Sequence, residues 1–361
     1  MEMDKLEAFY QGKKVLVTGH TGFKGTWLCA VLVMLGAEVT GYALEAPTSP
    51  SLFGLAGAGR KVHSILGDVR DLDHLGQTFD QVKPEIVIHM AAQPIVRESY
   101  RNPVDTYGIN VMGTVHVLEC IRRCDTVRSA LNVTTDKVYR NREWEWGYRE
   151  NEELCGFDPY SNSKSCSELV TESYRNSFFT DGRVAVSTAR AGNVIGGGDF
   201  AADRILPDCV RAIEQQHTIL LRNPDSIRPY QHVLEAIGAY LLIIERQYAD
   251  DRISGSYNVG PGEESCIRTL DLVQNFSRIW QELTGQILSW ECPEGYCGER
   301  GFHEAGYLKL DNSKIQGRIG WRPRWGYQEM LRKTAELTRD YLEKADLWDG
   351  MTRQIEEYFS E

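Results

Sequence analysis

Two short stretches hold residue types suited to proton chemistry. Residues 132–140 read NVTTDKVYR, so Thr135, Asp136 and Lys137 stand side by side just past the apolar run SALNV. The edge of a buried strand is where enzymes place reactive groups, although an acid next to a lysine is also what a structural salt bridge looks like. Residues 160–164 read YSNSK, which sets Tyr160 and Lys164 four apart. At the start of a helix, that spacing puts both on one face. A tyrosine that removes a proton from a sugar hydroxyl must ionise below its ordinary pKa of about 10, and a nearby ammonium favours the phenolate.

A third stretch supplies a reason for such a pair. VTGHTGFKG follows an apolar strand and opens an apolar helix, with Gly19, Gly22 and Gly25 spaced G-x-x-G-x-x-G and Thr21, Phe23 and Lys24 between them. Gly19 permits a tight turn. Gly22 lets a pyrophosphate approach the backbone, and Gly25 lets helix and strand pack closely, with the helix N-terminus facing the anion. Lys164 is then placed to hold a nicotinamide ribose as well. NAD sites carry an acid at the end of the second strand, and Glu45 in GYALEAP is the nearby acid. Arg60 and Lys61 follow the loop, so a 2′-phosphate stays open, with NAD the favoured cofactor. Asp68 in GDVRD reads either as an adenine contact or as the cap of the helix that follows.

These residues need a frame. KKVLVTG, EVTGYAL, KVHSILGDV, PEIVIHMAAQ, SALNVTT and RVAVSTARAGNV read as strands. Helical patterns such as GTWLCAVLVMLGA, NVMGTVHVLECIRRC and SNSKSCSELVTESYRNSFF lie between them. Continuous apolar strands alternating with helices predict an α/β fold, a Rossmann-type doubly wound parallel sheet covered on both faces. After about residue 190 the pattern changes. GNVIGGGDF and LLRNPDSIRPYQHV read as polar loops, while the helix VLEAIGAYLLIIERQY and the strand GSYNVG are able to complete the sheet. The expected division is a dinucleotide-binding domain of residues 1–190 plus about 232–260. A smaller α/β substrate-binding domain then comprises about 191–231 and 261–361.

The chain has 361 residues, 42% apolar and 25% charged, with a net charge of −11. An acidic surface repels nucleic acid and anionic membranes, so neither is expected as a partner. No apolar run approaches the ~20 residues that span a bilayer, and the polar start MEMDKLEAFYQGKK is not a secretory signal. Nine cysteines are scattered without zinc-ligand spacing; Cys120 and Cys124, one turn apart, read as packing residues. A reducing cytoplasm is the simplest compartment.

Taken in order, VTGHTGFKGTWL, HMAAQPIVRESY, TTDKVYRNREWEWGYRENE, FDPYSNSK, RAGNVIGGGDF, RNPDSIRPYQHVLE and YLKLDNSKI resemble the extended short-chain dehydrogenase/reductase family, in its nucleotide-sugar branch. The resemblance implies NAD as cofactor and a three-part reaction. Tyr160 takes the 4-OH proton as NAD accepts hydride from C4; water leaves across C5 and C6; the hydride returns to C6. Members acting on CDP-glucose carry Thr-Asp-Lys after the strand, as here, so CDP-glucose is the implied small-molecule partner. Asp136 is then the acid for the leaving hydroxyl, Lys137 the base or proton shuttle, and Thr135 a bond to the 4-oxygen.

By the same resemblance Asp68, Val69, Ala91, Ala92, Gln93 and Asn110 join the cofactor site, with Asn110 open to reading as a helix cap. Arg97, Asn193, Arg204, Arg228, His303 and Tyr307 join the substrate site, with surface ion pairs (Arg204, Arg228) and plain packing (His303, Tyr307) as alternatives. Arg140, Tyr230 and Gly306 depart from the family's pattern. A homodimer or homotetramer is implied, built on the helices NVMGTVHVLECIRRC and SCSELVTESYRNSFF. The rival readings are a 4-epimerase, which has no need of the TTDK pair, and an NAD-sensing regulatory protein, which has no need of Tyr160 and Lys164.

Overall fold

The computed structural model describes residues 3–221, 223–292 and 307–360. The strands of the first half are β1 (Lys14–Thr18), β2 (Glu38–Ala43), β3 (His63–Leu66), β4 (Ile86–His89), β5 (Ser129–Val133) and β6 (Ala185–Ala191). They are followed by β7 (Asn193–Ile195), β8 (Ile219–Leu220), β9 (Ile227–His232), β10 (Ser256–Val259), β11 (Cys266–Arg268) and β12 (Trp290–Glu291). Seven of them form one parallel sheet in the order β10-β6-β5-β4-β1-β2-β3. The order reverses beside β1, where β2 lies on one side and β4 on the other. In such sheets ligands sit outside the carboxyl ends of the strands at that switch point.

Strands β4, β5 and β6 are buried along their whole length, as continuous apolar strands must be when helices cover both faces. On one face Trp27, Leu28, Tyr240, Ile243, Met351 and Ile355 form the core. On the other, Leu75, Phe79, Val117, Ile121 and Val186 do so. The helix Phe23–Met34 is apolar all round, with every residue from Gly25 to Leu32 buried. That is consistent with its outer side being covered by the C-terminal helix Leu347–Ser360, which packs against it. The strand GSYNVG completes the sheet as β10, beside β6.

The second lobe corrects the reading of GNVIGGGDF and LLRNPDSIRPYQHV as loops. They contain β7 and β9, which pair in parallel, and β11 closes this small sheet antiparallel to β9. Glycine, Pro229 and charged residues hide these strands from a pattern reading. Tertiary pairing over Leu206, Cys209, Phe276, Trp280 and Met330 forms them regardless. None of the described helices is long and apolar enough to cross a membrane.

Candidate active site

The carboxyl ends of β1, β4 and β5 converge with the start of the helix Pro159–Phe178. After β1, Gly19 turns with φ +78°. A Cβ there would lie 2.8 Å from the Ala91 nitrogen, so this loop and the segment after β4 fit only with glycine. A Cβ on Gly25 would collide with the Gly19 carbonyl, whereas one on Gly22 would meet protein only at 3.5 Å. The helix Phe23–Met34 starts at this cradle, and Thr21 is fixed by donating to the Leu44 carbonyl at 2.9 Å. The Lys24 Nζ lies 3.4 Å from the Tyr240 hydroxyl. Burial, then repulsion by Arg204 and Lys164, pulls the Lys24 ammonium down to about 7, against the pull of Asp136.

Ala91, Ala92 and Gln93 follow β4 directly. The Met90 and Ala91 amides donate to the Thr18 hydroxyl at 3.1 and 3.2 Å. Asn110 is not a helix cap. It is buried in a π-helical turn, Gly108–Met112. Its Oδ1 accepts from the Gln93 amide at 2.9 Å, and its Nδ2 donates to the Gln93 carbonyl and to Ser163 Oγ. Asn110 therefore holds the segment after β4 against the helix that bears Tyr160. Asp68 does not cap the helix after it: Asp71 accepts from the His74 amide and does so. The Asp68 carboxylate instead grips the Arg70 guanidinium, which holds it below the usual carboxylate range. Val69 packs beneath Gly113.

The candidate proton-transfer residues stand together. The helix Pro159–Phe178 is capped by Asp158, which accepts from the Ser161 amide at 2.9 Å. One turn of that helix sets Tyr160 and Lys164 on a buried face. Thr135, just past β5, bonds the Tyr160 phenol in the sense that favours its ionised form, but burial outweighs it and pushes the phenol up to about 12. The lowering expected of the pair is thus not supplied by the chain alone. Lys164 donates to the Val133 carbonyl at 3.1 Å, and burial pulls it down to about 8 against the attraction of Glu168.

Asp136 is fully buried and accepts on Oδ1 from Thr135 and from Lys137 Nζ, each at 3.0 Å. Its other oxygen, Oδ2, is buried without a hydrogen-bond partner among the described residues. Lys137 also donates to Asn193 Oδ1 at 3.2 Å, so the acid–base pair reaches the second lobe through β7.

The remaining substrate candidates spread along that lobe. Arg97 pairs with Asp203 at 3.2 Å and Arg204 with Asp199 at 2.8 Å. Arg228 lies buried on β9 and donates to the Ile227 carbonyl. Tyr307 bridges to Ile227 through its backbone and accepts from Asn141 on its carbonyl. His303 lies outside the described residues. Sequence reasoning missed Asp199 and Asp203, whose signal was their place just before Arg204. It also missed Glu168 and Arg190, an ion pair buried beneath the site at 2.8 Å. Arg190 was visible as a charge inside the strand AVSTARA, which requires a partner once buried.

A glycine cradle at the switch point of a parallel sheet, with a tyrosine–lysine pair beside it, defines a short-chain dehydrogenase/reductase of the nucleotide-sugar kind. Residues 16–334 match the family model described as GDP-mannose 4,6 dehydratase. The CDP-glucose 4,6-dehydratase of Salmonella typhimurium LT2 is 46% identical over 358 residues, 98% of each chain. The chain belongs to this dehydratase family. A human dTDP-D-glucose 4,6-dehydratase is 24% identical over 96% of this chain and 95% of its own. A solved dTDP-glucose 4,6-dehydratase from Bacillus anthracis str. Ames, in complex with NAD, superposes with TM-score 0.74 at 16% identity, covering 94% of this chain and all of that one. At that identity it speaks for the fold.

Proposed function

We propose that this chain is an NAD-dependent hydro-lyase that converts CDP-glucose to CDP-4-dehydro-6-deoxyglucose. The observation that carries the reading is Asp136. It is a buried carboxylate with one oxygen held by Thr135 and Lys137 and the other without a partner among the described residues, beside the hydroxyl that bonds Tyr160. A 4-epimerase has no use for this acid–base pair. The Salmonella relative, at 46% identity, bears the corresponding name.

The residues fit NAD: a Cβ on Gly22 would make only an ordinary contact with the Gly19 carbonyl, at 3.5 Å, and Gly19, Gly22 and Gly25 with Thr21, Phe23 and Lys24 would hold the cofactor, together with Asp68, Val69, Ala91, Ala92, Gln93 and Asn110. NAD bound there would supply the hydride acceptor for C4 and the hydride donor for C6. Tyr160 accepts the 4-OH proton. Lys164, with the positive ring of a bound NAD, would favour the phenolate that burial alone opposes. Thr135 orients the 4-oxygen. Lys137 removes the C5 proton once the C4 ketone has acidified it, and Asp136 protonates the departing 6-hydroxyl. Both steps need the proton between the two to lie on Asp136, a transfer that their 3.0 Å contact would serve. Arg97, Arg204 and Arg228, with Asn193, His303 and Tyr307, bind the nucleotide diphosphate and the sugar, arginine forks gripping phosphate.

The division of labour gives residues 1–190 and about 232–260 to the cofactor. The nucleotide sugar falls to about 191–231 and 261–361. Met112, Leu169 and Phe178 are each about half exposed along the helices that flank the site. They suit a two-fold four-helix contact in a homodimer or homotetramer. Free cysteines throughout the described chain suit the cytoplasm.

The test is incubation with CDP-, dTDP-, UDP- and GDP-glucose plus NAD, with mass analysis of products. Loss of one water from CDP-glucose, with a C4 deuteron recovered on the C6 methyl, is the expected result. Unchanged mass with inverted C4 indicates an epimerase; NAD binding without turnover indicates a sensor.

A further inference from the structure

Beneath Thr135, Asp136 and Lys137 lies an ion pair to which the proton transfers above assign no part. Glu168 and Arg190 are 2% and 3% exposed, with Oε2 and Nη2 2.8 Å apart. Glu168 Oε1 accepts from the Thr134 hydroxyl at 2.5 Å, and Oε2 accepts from Thr188 at 2.7 Å and Ser256 at 3.3 Å. Arg190 donates to the Tyr139 hydroxyl and the Glu150 carbonyl. Lys164, four residues before Glu168 on the same helix face, donates to the carbonyl of Val133, the residue preceding Thr134. Two consecutive residues at the end of β5 are therefore gripped by two side chains one helical turn apart.

We propose that Glu168 is a positioning residue of the active site. It pins Thr134, and through it Thr135 and Asp136, to the helix that carries Tyr160 and Lys164, and its charge holds the Lys164 ammonium in place. The role rests on the dehydratase reading, which makes Tyr160 and Lys164 the proton-transfer pair.

Glu168 is the anion that opposes burial at Lys164. The groups facing Lys164 from other elements offer little of the same kind. His89 on β4 is buried and pulled down to about 3, so it is neutral. Lys24 from the glycine-loop helix is repelled by Lys164. Thr135 and Asp136, from the segment after β5, engage Tyr160, and Asp136 is already shared with Lys137. Glutamine at position 168 keeps an acceptor for Thr134 and removes the charge, while its amide nitrogen replaces the oxygen that accepts from Arg190, Thr188 and Ser256.

The experiment is a titration of protein labelled with 13C at the lysine ε-carbons, with the Lys164 signal assigned by its loss in Lys164→Arg. The wild-type midpoint is expected near 8. Glu168→Gln should lower it by about one pH unit, a tenfold loss of proton affinity, and Glu168→Asp should restore most of it. The alkaline limb of kcat/KM should move by the same amount, with KM changed far less than kcat. Should the lone Arg190 charge unfold Glu168→Gln, Glu168→Gln/Arg190→Met removes both charges and should show the same lowered midpoint. An unmoved midpoint in a folded variant overturns the proposal. The titration needs no substrate, so a wild type that turns over no nucleotide sugar sinks the dehydratase reading and leaves this measurement to be judged separately.

Discussion

Asp136 and Lys137 are neighbours in sequence and partners in space, with Nζ 3.0 Å from Oδ1; the carboxylate is fully buried and the lysine 29% exposed. The pair satisfies the salt-bridge reading and the catalytic reading at once, so only kinetics separates them. Asp136→Asn and Lys137→Met should each slow elimination by about 10²–10⁴, the usual worth of a positioned acid or base. Oxidation at C4 should survive, because Tyr160 and Lys164 are untouched. The measurement is single-turnover absorbance of reduced nicotinamide: a rise that no longer decays marks blocked elimination. Decay at the wild-type rate would reduce the pair to a salt bridge.

Gly22 and Gly25 separate ligand space from protein packing. A Cβ on Gly25 collides with the Gly19 carbonyl, while one on Gly22 makes an ordinary contact at 3.5 Å. Gly22→Ala should therefore leave the thermal midpoint within about 2 °C and cost about tenfold or more in NAD affinity, because the methyl group occupies the anion's approach. Gly25→Ala should lower the midpoint by several degrees, since backbone must move. Calorimetry and NAD titration of both variants check this. Equal effects on stability would mean that Gly22 is structural too.

The parallel sheet was legible because burial on both faces favours apolar residues at successive strand positions; β4, β5 and β6 are buried at every residue, with polar ones such as Arg190 in β6 as exceptions. The glycine loop was legible because its spacing answers to a backbone collision between Gly25 and Gly19. Strands β7 and β9 were not, since three residues of β7 and the Pro229-containing β9 owe their form to partners distant in the chain. The pairing of Arg97 with Asp203 joins residues 106 apart, a separation no local pattern encodes. The environment of Tyr160 is set likewise by groups beyond its own helix: in the chain alone burial leads and pushes the phenol up, while Lys164 donates to the Val133 carbonyl.

Arg97 and Asp203 tie the segment after β4 to the second lobe across the cleft. Asp203 holds a left-handed backbone, φ +60°, which asparagine adopts easily. Asp203→Asn should therefore keep the loop while removing one negative charge from beside the Arg97 guanidinium. A partly exposed pair is worth up to ~1 kcal/mol, so affinity for CDP should rise about two- to fivefold, with a steeper loss on adding salt. Isothermal titration at two ionic strengths checks it. Weaker binding would mean that Asp203 itself contacts the ligand, or that the bridge shapes the site.

Three buried histidines give the fold an acid weakness. Burial pulls His20 to about 4 and His89 and His232 each to about 3, below the ordinary 6.5. Between those values and 6.5 the unfolded chain binds protons that the folded chain refuses, so stability rises with pH across that window and falls as acid is added. Each histidine contributes a slope of about 1.4 kcal/mol per pH unit, or about 4 kcal/mol for the three together between pH 5.5 and 4.5. Carboxylates add to the loss only as the pH nears their own range. Denaturant midpoints taken at half-unit steps from pH 7.5 to 4.5 should stay flat above 7 and fall with growing steepness below 6. His232→Phe, whose ring fills the space between Trp27 and Trp325, should remove about a third of that slope. A slope unchanged in this variant would show that His232 takes up its proton without unfolding the chain.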